Sequence, residues 1–269
     1  MLFGKFEGKN MTAEQNFFCF CTLALGQRYR DISKELAKDL EINAPGISLV
    51  IYTEKPDDFS SYKNVMAFQH YQQGILHCYN DKRFLCQKAI SLFPVAIYID
   101  ADTRILESLP EDIEWKAGLT GPQKNLVEHV SKYRASSLPI LKKLADKLNI
   151  SDDSFNNSSW IGESLFIIVR DNGKEIEFLE TWGKVSRYAE LKGMHAGEGS
   201  LMGLAAAKVG WVINSEAWEK ISGITQHWDA SRSKSKVTSW DNLQKRMGYH
   251  YRLNKTRIMA LRDFKFYYR

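Results

Sequence analysis

Two carboxylates one residue apart, Asp100 and Asp102, end an apolar run that opens at Phe93-Pro94-Val95 and continues through Ala96-Ile97-Tyr98-Ile99. A run of this length closed by a turn reads as a strand buried on both faces of a parallel sheet. Open α/β sheets bind ligands at the carboxyl ends of their strands, and the acidic pair falls there. Alternation along an extended chain turns Asp100 and Asp102 to the same side. Such a pair suits a hard divalent cation, Mn2+ or Mg2+, which takes few protein oxygens and completes its shell with water and phosphate. Asp-x-Asp triplets also occur as solvated turns and helix caps. Position directly after a buried strand favours the metal.

The elements that must hold this pair can be read upstream of it. Asn16 to Thr22 reads as a buried strand. After Gly26, Tyr29, Ile32, Leu36 and Leu40 recur at helical spacing, and Asn43-Ala44-Pro45-Gly46 makes a turn into a second strand, Ile47 to Thr53. Strand, helix, strand is a βαβ unit with a right-handed crossover. A further helix from Asp81 leads into the acidic strand. The expected first half is therefore Rossmann-like, without the Gly-x-Gly-x-x-Gly fingerprint or a Walker loop. Downstream, the pattern predicts a helix over 137–150, a polar loop over 151–159, a strand over 165–169 and a helix over 174–191. A short helix over 201–208 and a strand over 211–214 complete it. No internal repeat or low-complexity stretch is present.

A chain of 269 residues, 44% hydrophobic and 26% charged, is long enough to bury a sizeable core. No apolar run approaches the ~20 residues needed to cross a bilayer. Met1 to Asn16 lacks the uninterrupted apolar stretch of a signal peptide. Cys19, Cys21, Cys78 and Cys86 have no metal-ligand spacing, so a reduced, cytoplasmic setting is expected. From His227 to Arg269, eleven Lys and Arg stand against three Asp, while the chain as a whole carries +5. Residues 1–226 are thus net negative and the basic tail invites an anionic partner, unless it is a plain solvated surface.

In this order the elements resemble a glycosyltransferase of the GT-A fold acting on a nucleotide sugar. The likeness rests on the first strand with Thr22-Leu23-Ala24, on Asp81-Lys82-Arg83-Phe84-Leu85-Cys86-Gln87-Lys88 and on Asp100-Ala101-Asp102. Trp160-Ile161-Gly162-Glu163-Ser164 and His195-Ala196-Gly197-Glu198-Gly199 extend it over residues 16–215. The spacing of His195 and Glu198 is similar to that of the retaining histo-blood-group transferases. There the acidic residue directly follows a His-x pair, whereas here Gly197 intervenes.

The resemblance implies an α/β fold with a Rossmann-like mixed sheet flanked by helices. It implies a single domain over 1–226, with a nucleotide-binding half over 16–106 and an acceptor half over 107–226. The basic segment 227–269 would pack on the site or close over it. Asp102, Asp100 and His227 would ligate the metal, with Asp100 also meeting the donor. Thr22, Ala24 and Thr53 would line the nucleoside pocket, and Lys82, Arg83 and Lys88 would face the donor sugar or diphosphate. Glu198 is the preferred catalytic carboxylate and Glu163 the reserve, Glu198 having the alternative role of capping the following helix. Trp160, Trp182 and His195 would contact the acceptor, a glycan or a lipid-linked one; tryptophans at such positions are also common core residues.

The donor implied is a nucleoside-diphosphate sugar, a UDP-sugar being favoured, and the tail is expected to close over the donor diphosphate, with peripheral contact to the inner face of an anionic membrane as its other use. Two other readings compete. A nucleotidyltransferase would use a similar sheet and acidic pair, but the first loop, Thr22-Leu23-Ala24-Leu25-Gly26-Gln27-Arg28, has a single glycine. A non-catalytic nucleic-acid-binding protein would use the tail's interleaved aromatics and leaves the acidic pair without a purpose.

Overall fold

The computed structural model describes residues 17–228 and 239–269. Four strands, β1 (Phe18–Ala24), β2 (Ser48–Thr53), β3 (Val65–Gln69) and β4 (Val95–Ile99), run parallel. β9 (Leu165–Val169) lies antiparallel to β4, and β6 (Gly118–Thr120) is antiparallel to β9, giving the order β3-β2-β1-β4-β9-β6. The sheet is mixed, as the resemblance implies. Two short ribbons stand outside it: β5 (Thr103–Ile105) with β10 (Thr225–His227), and β7 (Gln123–Asn125) with β8 (Ser159–Ile161).

The βαβ unit forms as expected. Its helix α1 (Gln27–Asn43) buries Leu36, Ala37 and Leu40 against the sheet face that carries Phe20, Ile51 and Ile97. The other face carries Cys19, Cys21, Ala96 and Tyr98, and α2 (Lys82–Leu92) lies on it beside α6 (Lys174–Leu191) and α7 (Glu198–Lys208). All five residues of β4 are buried, which a strand flanked by β1 and β9 and covered on both faces requires. β3 is an edge strand whose side chains are only partly buried, and its apolar run is limited to Val65 to Phe68.

Two sequence expectations need correction. The polar stretch 151–159 contains a short helix, α5 (Asp152–Asn156), capped by the Ser151 side chain accepting from Ser154 N–H. Trp211 to Asn214 forms no strand; Asn214 makes an isolated parallel bridge to Thr120. In its described part the basic tail packs on the fold. α9 (Ser239–Ala260) packs on α6, Arg252 donates to the Ile75 carbonyl, and Ala260, Phe266 and Tyr267 are buried. Arg232, Lys234 and Lys236 lie outside the described residues.

α7 approaches β8 closely enough that its glycines have a packing reason. A Cβ on Gly199 would lie 2.1 Å from the Ile161 carbonyl oxygen, and one on Gly203 1.7 Å from that of Ser159. The close approach that Gly199 permits is therefore to backbone. It seats the first turn of α7 at the carboxyl end of the sheet.

Candidate active site

The turn after β4 fixes the acidic pair. Asp100 N–H donates to the Ser164 carbonyl at 2.8 Å, and Thr103 N–H donates back to the Asp100 carbonyl at 3.0 Å. β5 leaves this turn and is braced by the Arg104–Asp39 ion pair. Its antiparallel partner β10 places His227 opposite Thr103, and Trp228 N–H donates to the Asp102 carbonyl at 2.8 Å. The ribbon thus delivers a histidine from 125 positions along the chain to the acidic pair. His227 Nδ1 stands 3.5 Å from Asp102 Oδ1 and 3.2 Å from Thr103 Oγ1. One donor atom each from Asp100, Asp102 and His227 fall within 4.8 Å of one another. Two carboxylate oxygens and an imidazole nitrogen make a donor set that fits a divalent cation with open positions.

Lys82 occupies the centre of the constellation. Its buried Nζ lies 3.2 Å from Asp100 Oδ1 and 3.2 Å from Glu198 Oε1, and donates to the Glu163 carbonyl at 2.8 Å. Burial alone would lower the Lys82 pKa, but the Asp100 and Glu198 charges outweigh it and hold the group above the usual lysine range. Asp100 also accepts from Tyr98 Oη at 2.6 Å. Tyr98 was missed by sequence reading, although strand alternation turns Tyr98, Asp100 and Asp102 to one side.

Glu198 and Glu163 exchange the roles considered for Glu198 alone. Glu198 is the first residue of α7, behind Gly197 in the left-handed region, and its side chain makes no cap. Glu163 Oε1 instead accepts Gly199 N–H at 2.9 Å, capping α7 from 36 positions away. Glu198 is 2% exposed, and its Oε2 has no hydrogen-bond partner among the described residues. An orphaned buried carboxylate oxygen is costly, so a substrate hydroxyl reaching it gains strongly.

Burial, followed by the Glu198 charge, pushes the Glu163 pKa up to about 7. The folded chain therefore holds this proton more tightly than the unfolded one. Its stabilisation is complete below the unfolded carboxyl range and is lost as pH rises through about 7. Glu163→Gln keeps an oxygen to cap Gly199 N–H while removing the titration. The melting temperature of Glu163→Gln relative to wild type is expected to climb between pH 5 and pH 8, as wild type ionises, on scales where glutamate is ordinarily charged above ~4.3. A flat difference across that range would contradict the raised pKa.

The remaining expected site residues divide by position. Ala24 and Thr53 end β1 and β2 at the carboxyl edge and are buried. Thr22 is fully buried within β1, on the face of Phe20. Trp160 is half-buried on β8 and stacks on His129 with ring centroids 4.0 Å apart. His195 is half-buried edge-on to Tyr249, its pKa lowered by burial and by nearby His77.

Three expected contacts point elsewhere. Trp182 is 0% exposed, packed among Phe166 and Phe178, and cannot meet an acceptor. Lys88 lies over the Phe68 ring, 4.5 Å from its centroid. Arg83 stacks on Phe84 against α6, because one helical step of 100° turns it away from Lys82.

No protein-family sequence model matches the chain, and no curated protein matches it by sequence. Solved structures do. The galactosyltransferase LgtC in complex with donor and acceptor sugar analogs aligns with a TM-score of 0.54 at 9% identity, over 87% of this chain and 96% of that one. The bifunctional glycosyltransferase WbbM, in its apo structure, aligns with a TM-score of 0.51 at 12% identity, over 92% of this chain and 53% of that one. The chain spans about half of WbbM and nearly all of LgtC. This chain therefore has the GT-A fold of glycosyltransferases, with the acidic triplet at the carboxyl end of its sheet.

Proposed function

We propose that the chain is a metal-dependent glycosyltransferase that moves a sugar from a nucleoside-diphosphate donor, a UDP-sugar being favoured, to a hydroxyl of a glycan or lipid-linked acceptor. The convergence of Asp100, Asp102 and His227 at the end of the sheet supports this most strongly. A cation held by these three supplies charge to the departing diphosphate and fixes its position. Lys82 positions Asp100 and Glu198 and contributes a fixed positive charge beside the leaving group. The carboxyl ends of β1 and β2, at Ala24 and Thr53, border the nucleoside through backbone, since both side chains are buried, and His195 and Trp160 border the acceptor. The body up to residue 226 binds the nucleotide in its first half, to 106, and the acceptor in its second, 107–226, while the described part of the basic segment packs beside it and contributes His227 to the site.

Glu198 is the proposed catalytic carboxylate. Its free Oε2 is placed to take the acceptor's proton or to stabilise the anomeric centre. Glu198→Gln retains size and a hydrogen-bonding oxygen for Lys82. Turnover is expected to fall by about 10²–10⁴ with donor affinity nearly unchanged. Steady-state kinetics with a fixed donor and acceptor checks this. Unchanged turnover would remove Glu198 from the chemistry.

The outer side of the C-terminal segment supports a membrane-facing acceptor. Leu243, Met247, Tyr251, Ile258 and Leu261 are exposed at helical spacing, with Arg246 and Arg257 also exposed along α9. Phe266 and Tyr267 are buried in the fold and unavailable to a membrane. No helix among the described residues is long and apolar enough to cross a membrane, so contact would be peripheral. Met247→Asp with Ile258→Asp is expected to abolish co-sedimentation with vesicles containing phosphatidylglycerol. Wild-type binding is expected to weaken with salt, since each basic residue near the surface contributes ~1 kcal/mol. Binding of the double variant equal to wild type would leave α9 as a solvated face.

A further inference from the structure

Arg83 is turned away from the triad into a separate cavity. This cavity, about 60 Å³, lies where α2, α6 and α9 meet, and Arg83, Arg187 and Lys255 all line it. The Arg83 guanidinium stacks on the Phe84 ring, 3.6 Å from its centroid. It lies flat against α6 because residue 183 is glycine; a Cβ there would come within 2.7 Å of Nη1. Glycine in the middle of a helix costs roughly 1 kcal/mol relative to alanine, so its presence inside α6 has a reason in this fit.

Arg83 has no hydrogen-bond acceptor among the described residues, and Arg187 has only the Tyr267 hydroxyl, at 3.1 Å. Lys255 donates to Gln73 Oε1. Two carboxylates also line the cavity, but their oxygens are engaged. Asp81 accepts from Gln73 N–H, Gly74 N–H and His70, and Glu190 accepts from Ile75 N–H and Asn80. Burial, and then the like charge of Arg187, lower the Arg83 pKa to about 10. Two half-buried guanidinium groups face one partly open space in which Asp81 and Glu190 are the only carboxylates among the lining residues, so an acceptor with several oxygens lying between the two guanidinium groups gains charge-assisted bonds from both.

We infer that this cavity is an oxyanion site, separate from the acidic triad, that takes inorganic phosphate or the phosphate of a small phosphomonoester. Its size admits several waters, hence one phosphate-sized group. Planar guanidinium forks bind phosphate oxygens in pairs, which lysine alone would not do. The anion ties α9 to α2 and α6, and it sits one residue from Lys82, which orders the triad's neighbours.

Isothermal titration of inorganic phosphate into the full chain, in chloride buffer at constant ionic strength, tests this. Saturable binding is expected, weakened by about ten-fold or more in Arg83→Gln and in Arg187→Gln, the loss of one charge-assisted pair. Lys88→Gln and Asp102→Asn are expected to bind as wild type does. A parallel titration with glucose 1-phosphate separates the sources: tighter binding of the ester marks a phosphomonoester, equal binding the free ion. Non-saturable binding, undiminished binding in both arginine variants, or loss of binding in Asp102→Asn would overturn the inference. If Arg83→Gln fails to fold, tungstate soaked into crystals of wild type decides it: density between Arg83 and Arg187 supports the site, and its absence there overturns it.

Discussion

Asp102→Asn is expected to reduce sugar transfer by at least about 10²–10³, the scale of losing a preorganised charge at a developing anion, while the fold survives. Asp102 is 7% exposed and its carboxylate faces His227, so the amide retains volume and one oxygen. What it loses is a full negative charge in a ligand set of two carboxylates and one imidazole. Cation affinity should drop with it, because hard cations select anionic oxygen. The backbone contact from Trp228 N–H to the Asp102 carbonyl does not depend on the side chain, so β5 and β10 stay paired. Circular dichroism and a thermal melt establish the fold; kinetics over a manganese series establish the loss. Full turnover at saturating manganese would shift the defect to metal affinity alone, and full turnover at low manganese would remove Asp102 from the metal site.

Lys82→Met is expected to be the most damaging single change to stability. The ammonium is the shared partner of Asp100 and Glu198 and the donor to Glu163 carbonyl. Methionine matches the side chain in length and removes every one of these interactions. Glu198 is then buried beside Asp100 and Glu163 without a counter-charge. Removing one partner of a buried ion pair costs about 3–5 kcal/mol. Because part of that cost is relieved by protonating the carboxylates, the deficit should shrink as pH falls. Chemical denaturation at pH 5 and pH 8 measures both. Lys82→Arg should recover only part, since a planar guanidinium cannot reproduce three tetrahedral contacts in this space. A stability loss below about 1 kcal/mol, the range of exposed pairs, would show that the pair is not buried in solution.

The central features of the site were legible in the sequence because they are local. A run of apolar residues closed by two carboxylates identifies β4 and its carboxyl end, and the βαβ unit upstream follows from periodicity. The contributions that depend on distant pairing were not. His227 was named as a ligand only through resemblance, since its delivery depends on the β5–β10 register. That β9 runs antiparallel to β4 is invisible in its apolar run, which has no direction. β3 escaped because its apolar run, Val65 to Phe68, is only four residues long and sits between polar stretches with no periodicity to mark it.

Adjacent residues posed the hardest problem. Lys82 and Arg83 look equivalent as a basic pair ahead of the acidic strand. The helix separates them, sending one to the carboxylates and the other to the α6 face. Similarly, the sequence leaves open whether Glu198, the preferred catalytic carboxylate, caps the helix it begins. The cap is Glu163, which leaves Glu198 free to face Lys82. Trp182 shows the opposite error: an aromatic suited to stacking on a sugar is, at 0% exposure, part of the core.

One measurement bears most directly on the proposed reaction: release of nucleoside diphosphate from a panel of UDP-, GDP- and dTDP-sugars, followed with manganese and then with excess chelator. At least one donor is expected to be cleaved at a rate that chelator abolishes, that added manganese restores, and that Asp102→Asn does not reach. Cleavage that proceeds unchanged in chelator, or that Asp102→Asn performs as wild type does, would contradict a reaction centred on Asp100, Asp102 and His227.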